Sequence, residues 1–102
     1  MSKKIVLCCV GGMSTSILQK KLQDYLVNKN LDVEVSAMAV EELPKKIEEV
    51  DLILLGPQVR YKEEQVKTLS QKYSKPYDII PFTLYGQVDV ENIYKTLIVD
   101  KI

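Results

Sequence analysis

The amino-acid sequence predicts an α/β protein built on a four-stranded parallel sheet of strand order 2-1-3-4, with helices on both faces. Strand-like and helix-like segments alternate along all 102 residues, which is the pattern of repeated strand–helix–strand units. Residues 4–8 and 51–55 are almost entirely apolar, as strands buried on both faces require. We therefore expect these two strands to be central and adjacent, within a single domain spanning residues 1–102.

The other elements of the first half follow from their own patterns. An amphipathic helix follows the first strand and ends around residues 28–30; its apolar positions are Leu18, Leu22, Tyr25 and Leu26. The second strand, around residues 33–37, alternates apolar and polar side chains, which indicates a half-exposed strand at a sheet edge. Residues 41–49 are typical of a short helix with Pro44 in its first turn, where the missing N–H costs little.

The second half continues the alternation. A charged helix is predicted over residues 59–73, and its core positions are Val66, Leu69 and Tyr73. Residues 77–81 indicate a short fourth strand, whose proline suits an edge or a strand end. Asp89 is the expected cap of a final helix with a clean apolar stripe, formed by Val90, Ile93, Tyr94, Leu97 and Ile98.

Composition excludes several kinds of site. Fourteen basic and fourteen acidic residues cancel, so the net charge does not indicate nucleic acid or an anionic membrane as a partner. The chain has no histidine, which excludes Ser-His and Cys-His catalysis and histidine-ligated zinc within it. No apolar run approaches the ~20 residues of a membrane span, and no signal peptide is apparent at the start. We expect a cytoplasmic protein with neither a metal nor a cofactor.

The most informative stretch joins the first strand to the first helix and reads Cys8-Cys9-Val10-Gly11-Gly12-Met13-Ser14-Thr15-Ser16. Its two glycines can adopt positive φ and let the backbone approach a ligand. Successive N–H groups in such a loop converge on an anion, and the start of the helix adds the positive end of its dipole. A helix N-terminus also lowers the pKa of a neighbouring thiol. The stretch therefore predicts a nucleophilic cysteine beside a phosphate site.

Several residues are candidates for contacts at this site. The phosphate-binding candidates are Val10, Gly11, Gly12, Met13, Ser14, Thr15 and Ser16. The three hydroxyl residues among them either donate to the phosphate or cap the helix, and Met13 either packs or faces a partner. Gln58 either reaches the phosphoryl oxygens or belongs to an ordinary strand-to-helix turn. Tyr61 and Tyr85 either line the rim where partners dock or simply pack.

Three short motifs occur in order along the chain: Cys9-Val10-Gly11-Gly12-Met13-Ser14-Thr15-Ser16, Leu54-Leu55-Gly56-Pro57-Gln58-Val59-Arg60-Tyr61 and Leu84-Tyr85-Gly86-Gln87-Val88-Asp89. Together they resemble enzyme IIB of the lactose/cellobiose family, from the bacterial sugar phosphotransferase system. The resemblance covers the whole chain in length and motif order. It implies a fold similar to that of the low-molecular-weight tyrosine phosphatases.

The resemblance also implies a function, that of a monomeric phosphocarrier. Cys9 would accept a phosphoryl group from a phosphohistidine of enzyme IIA, forming a phosphocysteine, and pass it to a sugar entering through the membrane component IIC. Counting back from Gly12-Met13-Ser14 puts the family's nucleophile at Cys9 and leaves Cys8 as the last residue of the strand. A stand-alone chain of this size favours the cellobiose or diacetylchitobiose branch, and hence a β-linked disaccharide.

Two other functions remain open from the sequence. Low-molecular-weight phosphatases carry a similar loop, Cys followed by any five residues and Arg-Ser, in which the arginine binds two phosphoryl oxygens. Here Thr15 stands at the arginine position, so hydrolysis of a thiophosphate is expected to be slow. The second alternative is a non-catalytic module that binds an anion.

Overall fold

The computed structural model describes residues 3–9 and 13–102, and its centre is a parallel sheet of order β2-β1-β3-β4. The strands are β1 (Lys3–Cys8), β2 (Val33–Met38), β3 (Leu52–Leu55) and β4 (Tyr77–Ile79). Leu7 of β1 pairs with Ala37 on one side and with Leu54 on the other. The predicted fold class, strand order and central position of β1 and β3 are therefore confirmed.

Helical segments connect the strands. Within the described residues the α-helices are α1 (Met13–Asn28), α2 (Leu43–Lys46), α3 (Glu63–Tyr73), α4 (Phe82–Gly86) and α5 (Val90–Ile93). Turns of 3₁₀-helix flank α2 at Val40–Glu42 and Ile47–Glu49 and precede α3 at Pro57–Lys62, while Tyr94–Ile98 continues α5 as a π-helix. In the part of the chain that the structure describes, none of these helices combines the length and the apolar character that a membrane crossing requires.

The helices cover both faces of the sheet, as predicted. One face packs against α1, α4 and α5, and its core includes Ile5, Leu7, Leu18, Leu22, Leu26, Leu52, Leu54 and Ile93. The other face packs against α2 and α3, and its core includes Val6, Cys8, Leu43, Ile47, Ile53, Leu55 and Val66. Alternate residues of β1 and β3 point to opposite faces, so a strand covered on both sides must be apolar at every position.

Three predicted elements have boundaries that differ from the structure by two residues or more. The helix expected over residues 59–73 becomes α-helical only at Glu63, because Val59 has φ −114° and ψ 20° and interrupts the helical path. The helix expected over 41–49 is α-helical only in its middle four residues. β4 ends at Ile79 rather than at residue 81.

The structure also contains a helix that the sequence did not predict. Helix α4 is only five residues long, too short for its apolar residues to repeat at helical spacing. The predicted cap of α5 is confirmed, because the Asp89 carboxylate accepts a hydrogen bond from the backbone N–H of Asn92 at 3.3 Å. Helix α4 is the more important of the two for the site, since it carries Tyr85.

Candidate functional site

The site lies at the edge of the sheet where the carboxyl ends of β1 and β3 meet, the place where the strand order changes direction. Cys9 directly follows β1, and Gly56 directly follows β3. The backbone N–H of Gly56 donates to the Cys8 carbonyl at 2.8 Å. On the far side of β3, the N–H of Ile80 donates to the Leu55 carbonyl, also at 2.8 Å. Main-chain bonds on both sides thus hold this edge in place.

Cys9, the predicted nucleophile, has a side chain that is only 4% exposed. The thiol forms hydrogen bonds with the hydroxyls of Thr15 and Tyr85 and with the backbone of Gly56. The two hydroxyl oxygens are themselves 3.3 Å apart. We refer to Thr15 and Tyr85 as the hydroxyl pair. The thiol therefore belongs to a small polar cluster in an otherwise apolar part of the core.

The hydroxyl pair is assembled from distant parts of the chain. Thr15 lies in the first turn of α1, three and seven positions before Leu18 and Leu22, so it shares their core-facing side of the helix. It is 5% exposed. Tyr85 lies in α4, 70 positions later in the sequence, and is also buried. Its ring packs in the core while its hydroxyl meets Thr15, a common arrangement for a buried tyrosine.

Burial raises the pKa of the Cys9 thiol, and the hydrogen bonds with Thr15, Tyr85 and Gly56 lower it in part. The expectation of a lowered pKa was therefore wrong. Loss of water around the sulfur is the largest influence on this pKa, and it opposes the effect expected from the start of the helix. The hydroxyl pair lowers the pKa of the thiol, which is the effect that had been predicted for the start of the helix.

Cys8 matches its predicted place as a buried residue at the end of β1. Burial, followed by the neighbouring Cys9 and the Glu41 carboxylate, raises the pKa of its thiol to about 12. A thiol with this pKa remains protonated at neutral pH and is a poor nucleophile. Of the two cysteines, Cys9 is therefore the better candidate for chemistry.

The turn after β3 brings another polar group to the thiol. A methyl group on the Cα of Gly56 would lie 2.8 Å from the Cys9 Sγ and 2.7 Å from the Gln58 Oε1. Both atoms therefore lie next to the empty Cβ position of Gly56, which places the Gln58 carboxamide in the neighbourhood of the sulfur. The Gln58 side chain is exposed.

The remaining candidates fall into three groups. Tyr61 is 75% exposed, with the Lys62 ammonium 5.8 Å from the centre of its ring, whereas Tyr85 packs inside the protein. Ser16 is exposed, one position after buried Thr15. The predicted roles of Val10, Gly11 and Gly12, and of the side chains of Met13 and Ser14, lie outside the described residues.

Two features of the site were not predicted from the sequence. Tyr85 was expected only as a rim or packing residue, and Gly56 was expected only to form part of the turn. The motif around each residue was noticed, but a contact across 70 positions leaves no mark in local spacing. Within the described residues there is no cluster of three metal-ligating side chains. The chemistry that this arrangement supports is nucleophilic attack by a thiol with nearby hydrogen-bond donors.

Comparison with known proteins places this site in a family. The family model "PTS system, Lactose/Cellobiose specific IIB subunit" matches residues 4–96. The oligo-beta-mannoside-specific EIIB component of Bacillus subtilis (strain 168) is 28% identical over 93 residues, which cover 91% of this chain and 90% of that protein. The cellobiose-specific EIIB component of Lactococcus lactis subsp. lactis (strain IL1403) is 31% identical over 91 residues, which cover 84% of each chain.

Solved structures agree with this assignment. The cellobiose-specific IIB component of Borrelia burgdorferi superposes with a TM-score of 0.80 at 29% identity, covering 99% of this chain and 93% of that one. The lactose-specific IIB domain of Streptococcus pneumoniae has a TM-score of 0.83 at 17% identity, covering 99% and 98%. The second likeness is one of fold alone, and it agrees with the phosphatase-like fold that the family resemblance implied. With its family match extending from residue 4 to residue 96, the chain belongs to the lactose/cellobiose-specific IIB subunits of the phosphotransferase system (PTS) and is a sugar-specific component of that system.

Proposed function

We propose that this IIB subunit carries a phosphoryl group on the sulfur of Cys9. The observation that supports the proposal most directly is the environment of that sulfur. It lies at the carboxyl edge of the sheet and forms hydrogen bonds with the hydroxyl pair and the backbone of Gly56. Donors at these positions stabilise the thiolate, which is the form that attacks phosphorus and the form that leaves when the phosphoryl group moves on.

The proposed reaction consists of two transfers. In the first, the Cys9 thiolate attacks the phosphorus of a phosphohistidine on enzyme IIA; the S–P bond forms, the P–N bond breaks, and the freed imidazole takes up a proton. In the second, a sugar hydroxyl attacks the same phosphorus; the P–O bond forms, the S–P bond breaks, the hydroxyl proton is released and the thiolate returns. The chain contains no histidine, so the donor imidazole must come from the partner.

The phosphoryl group is proposed to sit in the loop that runs through Val10, Gly11, Gly12, Met13, Ser14, Thr15 and Ser16. No basic residue occurs between Cys9 and Ser16, so charge compensation falls mainly to backbone N–H groups and the start of α1. Hydrogen bonds from such donors to a dianion contribute ~1.5–3 kcal/mol each. The Gln58 carboxamide lies in the neighbourhood of the sulfur, across the Cβ position of Gly56, and its amide nitrogen is a further candidate donor.

A carrier is favoured over a hydrolase by the residue at position 15. Phosphatases with this loop place an arginine there, whose guanidinium stabilises the charge of the transfer. Here Thr15 is 5% exposed and bonded to Tyr85, so the position contributes a hydroxyl inside the core rather than a cation at the phosphate. The phosphocysteine should therefore hydrolyse slowly, as a carrier requires.

Membership of the family supports a proposal for the partners. The proposed donor is enzyme IIA and the proposed acceptor is a sugar held by the membrane component IIC, with this subunit acting as a monomer in the cytoplasm. The names of two relatives, cellobiose-specific and oligo-beta-mannoside-specific, support a β-linked disaccharide as the sugar. A third relative, from Lactococcus lactis subsp. cremoris (strain MG1363), is named galactose-specific.

The test is to phosphorylate the purified protein with phosphoenolpyruvate, the general phosphotransferase proteins and a IIA of the cellobiose branch. Intact-mass spectrometry should show the addition of one phosphoryl group, and fragmentation should place it on Cys9. The Cys9→Ser variant should take up no label, because a serine hydroxyl at neutral pH is not ionised and attacks far more slowly.

The matched control is Cys8→Ser, which changes the same atom one position away. Cys8 packs in the core on the opposite face of the sheet, so this variant should still accept the phosphoryl group. Label that persists in Cys9→Ser, or that is found on a hydroxyl residue of the wild-type protein, would show that Cys9 is not the acceptor.

A further inference from the structure

Gly56 has a backbone conformation that does not require glycine. Its φ of −67° and ψ of 152° lie in the extended region, which any residue adopts readily and which the residue before a proline favours. Conformational freedom therefore does not explain why this position has no side chain. The remaining property of glycine is the space left by the missing Cβ.

The Cys9 sulfur and the Gln58 side chain border that space. A Cβ on Gly56 would stand 2.8 Å from the Cys9 Sγ and 2.7 Å from the Gln58 Oε1, closer than van der Waals contact permits. The Gln58 oxygen is at the end of a long, exposed side chain and can swing aside. The Cys9 sulfur has one rotatable bond, is buried, and is held by hydrogen bonds. The sulfur is therefore the atom that a methyl group would displace.

The backbone around Gly56 cannot move away to relieve such a clash. Its N–H donates to the Cys8 carbonyl at 2.8 Å, which ties the end of β3 to the end of β1. One residue earlier, the Leu55 carbonyl accepts from Ile80 at 2.8 Å, which ties it to the segment after β4. The two bonds fix the distance between the Cα of Gly56 and the cysteine.

From this geometry we infer that Gly56 is a positioning residue for phosphoryl transfer: its missing side chain gives the Cys9 sulfur the place in which it meets the hydroxyl pair. The inference rests on the proposed role of Cys9 as the phosphoryl acceptor. It extends that role to the second motif of the chain, whose glycine acts through the sulfur and does not itself contact the reacting phosphorus.

The test compares Gly56→Ala with Gly86→Ala. The control adds the same methyl group at a glycine of α4 whose Cβ would have no neighbour within 4 Å. With saturating phosphorylated IIA, kcat for phosphorylation of Gly56→Ala should fall by about a hundredfold, the effect of misplacing a nucleophile by roughly 1 Å. KM should change little, and Gly86→Ala should transfer at the wild-type rate. Normal kcat in Gly56→Ala would overturn the inference.

A second readout separates displacement of the sulfur from general damage. In a Cys8→Ser background, the rate of Cys9 alkylation by iodoacetamide is followed across pH in wild type and in Gly56→Ala. A displaced sulfur loses its hydrogen bonds with the hydroxyl pair, so the pH profile should move upward. A profile that stays in place while the melting temperature falls would mean that the glycine serves only packing, and would overturn the inference.

A third measurement tests the inference even if Gly56→Ala folds poorly. If the added methyl clashes with the sulfur, then the loss of melting temperature caused by Gly56→Ala should be much smaller in a Cys9→Ala background. An equal loss in both backgrounds would overturn the inference. The proposed function is judged separately, by phosphorylation of the wild-type protein on Cys9, since neither alkylation nor melting depends on phosphoryl transfer.

Discussion

Cys8 and Cys9 are adjacent in the chain, yet their side chains lie in different surroundings. The Cys8 side chain packs in the core beneath α2 and α3, with apolar neighbours such as Val6 and Leu55. The Cys9 side chain packs on the opposite face, in the core beneath α1, α4 and α5. Both are nearly inaccessible to solvent.

Burial alone does not distinguish Cys8 from Cys9, the proposed phosphoryl acceptor. Burial raises the pKa of both thiols, to about 12 for Cys8. What differs is the set of neighbours: a second sulfur and a carboxylate raise the pKa of Cys8 further, while two hydroxyls and a backbone bond lower that of Cys9. Hydrogen-bonding neighbours around the sulfur are therefore what sets the proposed phosphoryl acceptor apart from Cys8.

The largest expected effect is on thiol reactivity. In the Cys9→Ser variant, Cys8 should still react with iodoacetamide at pH 8 much more slowly, by about a hundredfold or more, in the native protein than in the unfolded chain, because burial, the largest cause of its raised pKa, is kept in this variant. In the Cys8→Ser variant, Cys9 should be protected much less. Alkylation rates with and without denaturant provide the measurement. Equal protection of the two thiols would remove the distinction between them.

A smaller effect is expected when one donor is removed from Cys9. Thr15→Val and Tyr85→Phe each keep the shape of the side chain and delete a hydroxyl that bonds to the thiol. A hydrogen bond to a charged group contributes about 1.5 kcal/mol or more, so each variant should slow phosphorylation about tenfold and shift Cys9 alkylation to higher pH. Phosphorylation rates and alkylation profiles of both variants give the result.

The control for these variants is Tyr94→Phe, which deletes a tyrosine hydroxyl at the edge of the same core. It should leave both readouts unchanged. The double variant Thr15→Val/Tyr85→Phe should lose less than the product of the single effects, because the two hydroxyls also bond to each other at 3.3 Å. If Tyr85→Phe behaved like Tyr94→Phe, the polar cluster would have no part in transfer.

The smallest expected effect is on stability at alkaline pH. The pKa of Cys8 is higher in the folded protein than in the unfolded chain, so its contribution to stability is complete below pH 9 and is lost as pH rises toward 12. Between pH 8 and pH 10, this thiol should cost the wild-type protein about 1 kcal/mol of unfolding free energy. Cys8→Ala should abolish that part of the loss, while Cys9→Ala should change it less. Urea denaturation at both pH values tests this.

The accuracy of the sequence analysis varied with the length of each pattern. The continuous apolar runs of β1 and β3, and the stripe from Val90 to Ile98, repeat often enough to be recognised, and they were assigned correctly. Short elements were harder: α4, with five residues, was not predicted, and the short helix predicted over residues 41–49 is present but α-helical only in its middle four residues. The residues just before α3, Pro57–Lys62, include part of the predicted helix but form 3₁₀ turns, and Val59 among them is buried in the core.

The sequence by itself determined the strand order, the two-faced burial of the central strands and Cys9 as the candidate nucleophile. These follow from local periodicity and from a motif within eight consecutive residues. The tertiary structure alone decided that Tyr85 meets Thr15 and that the Cys9 sulfur occupies the space over Gly56. The physical reason is that Cys9, Gly56 and Tyr85 come after three different strands, whose ends are brought together only when the sheet forms. Whether the sulfur meets a hydroxyl, or would clash with a methyl group at position 56, depends on distances of a few ångströms at that edge of the sheet.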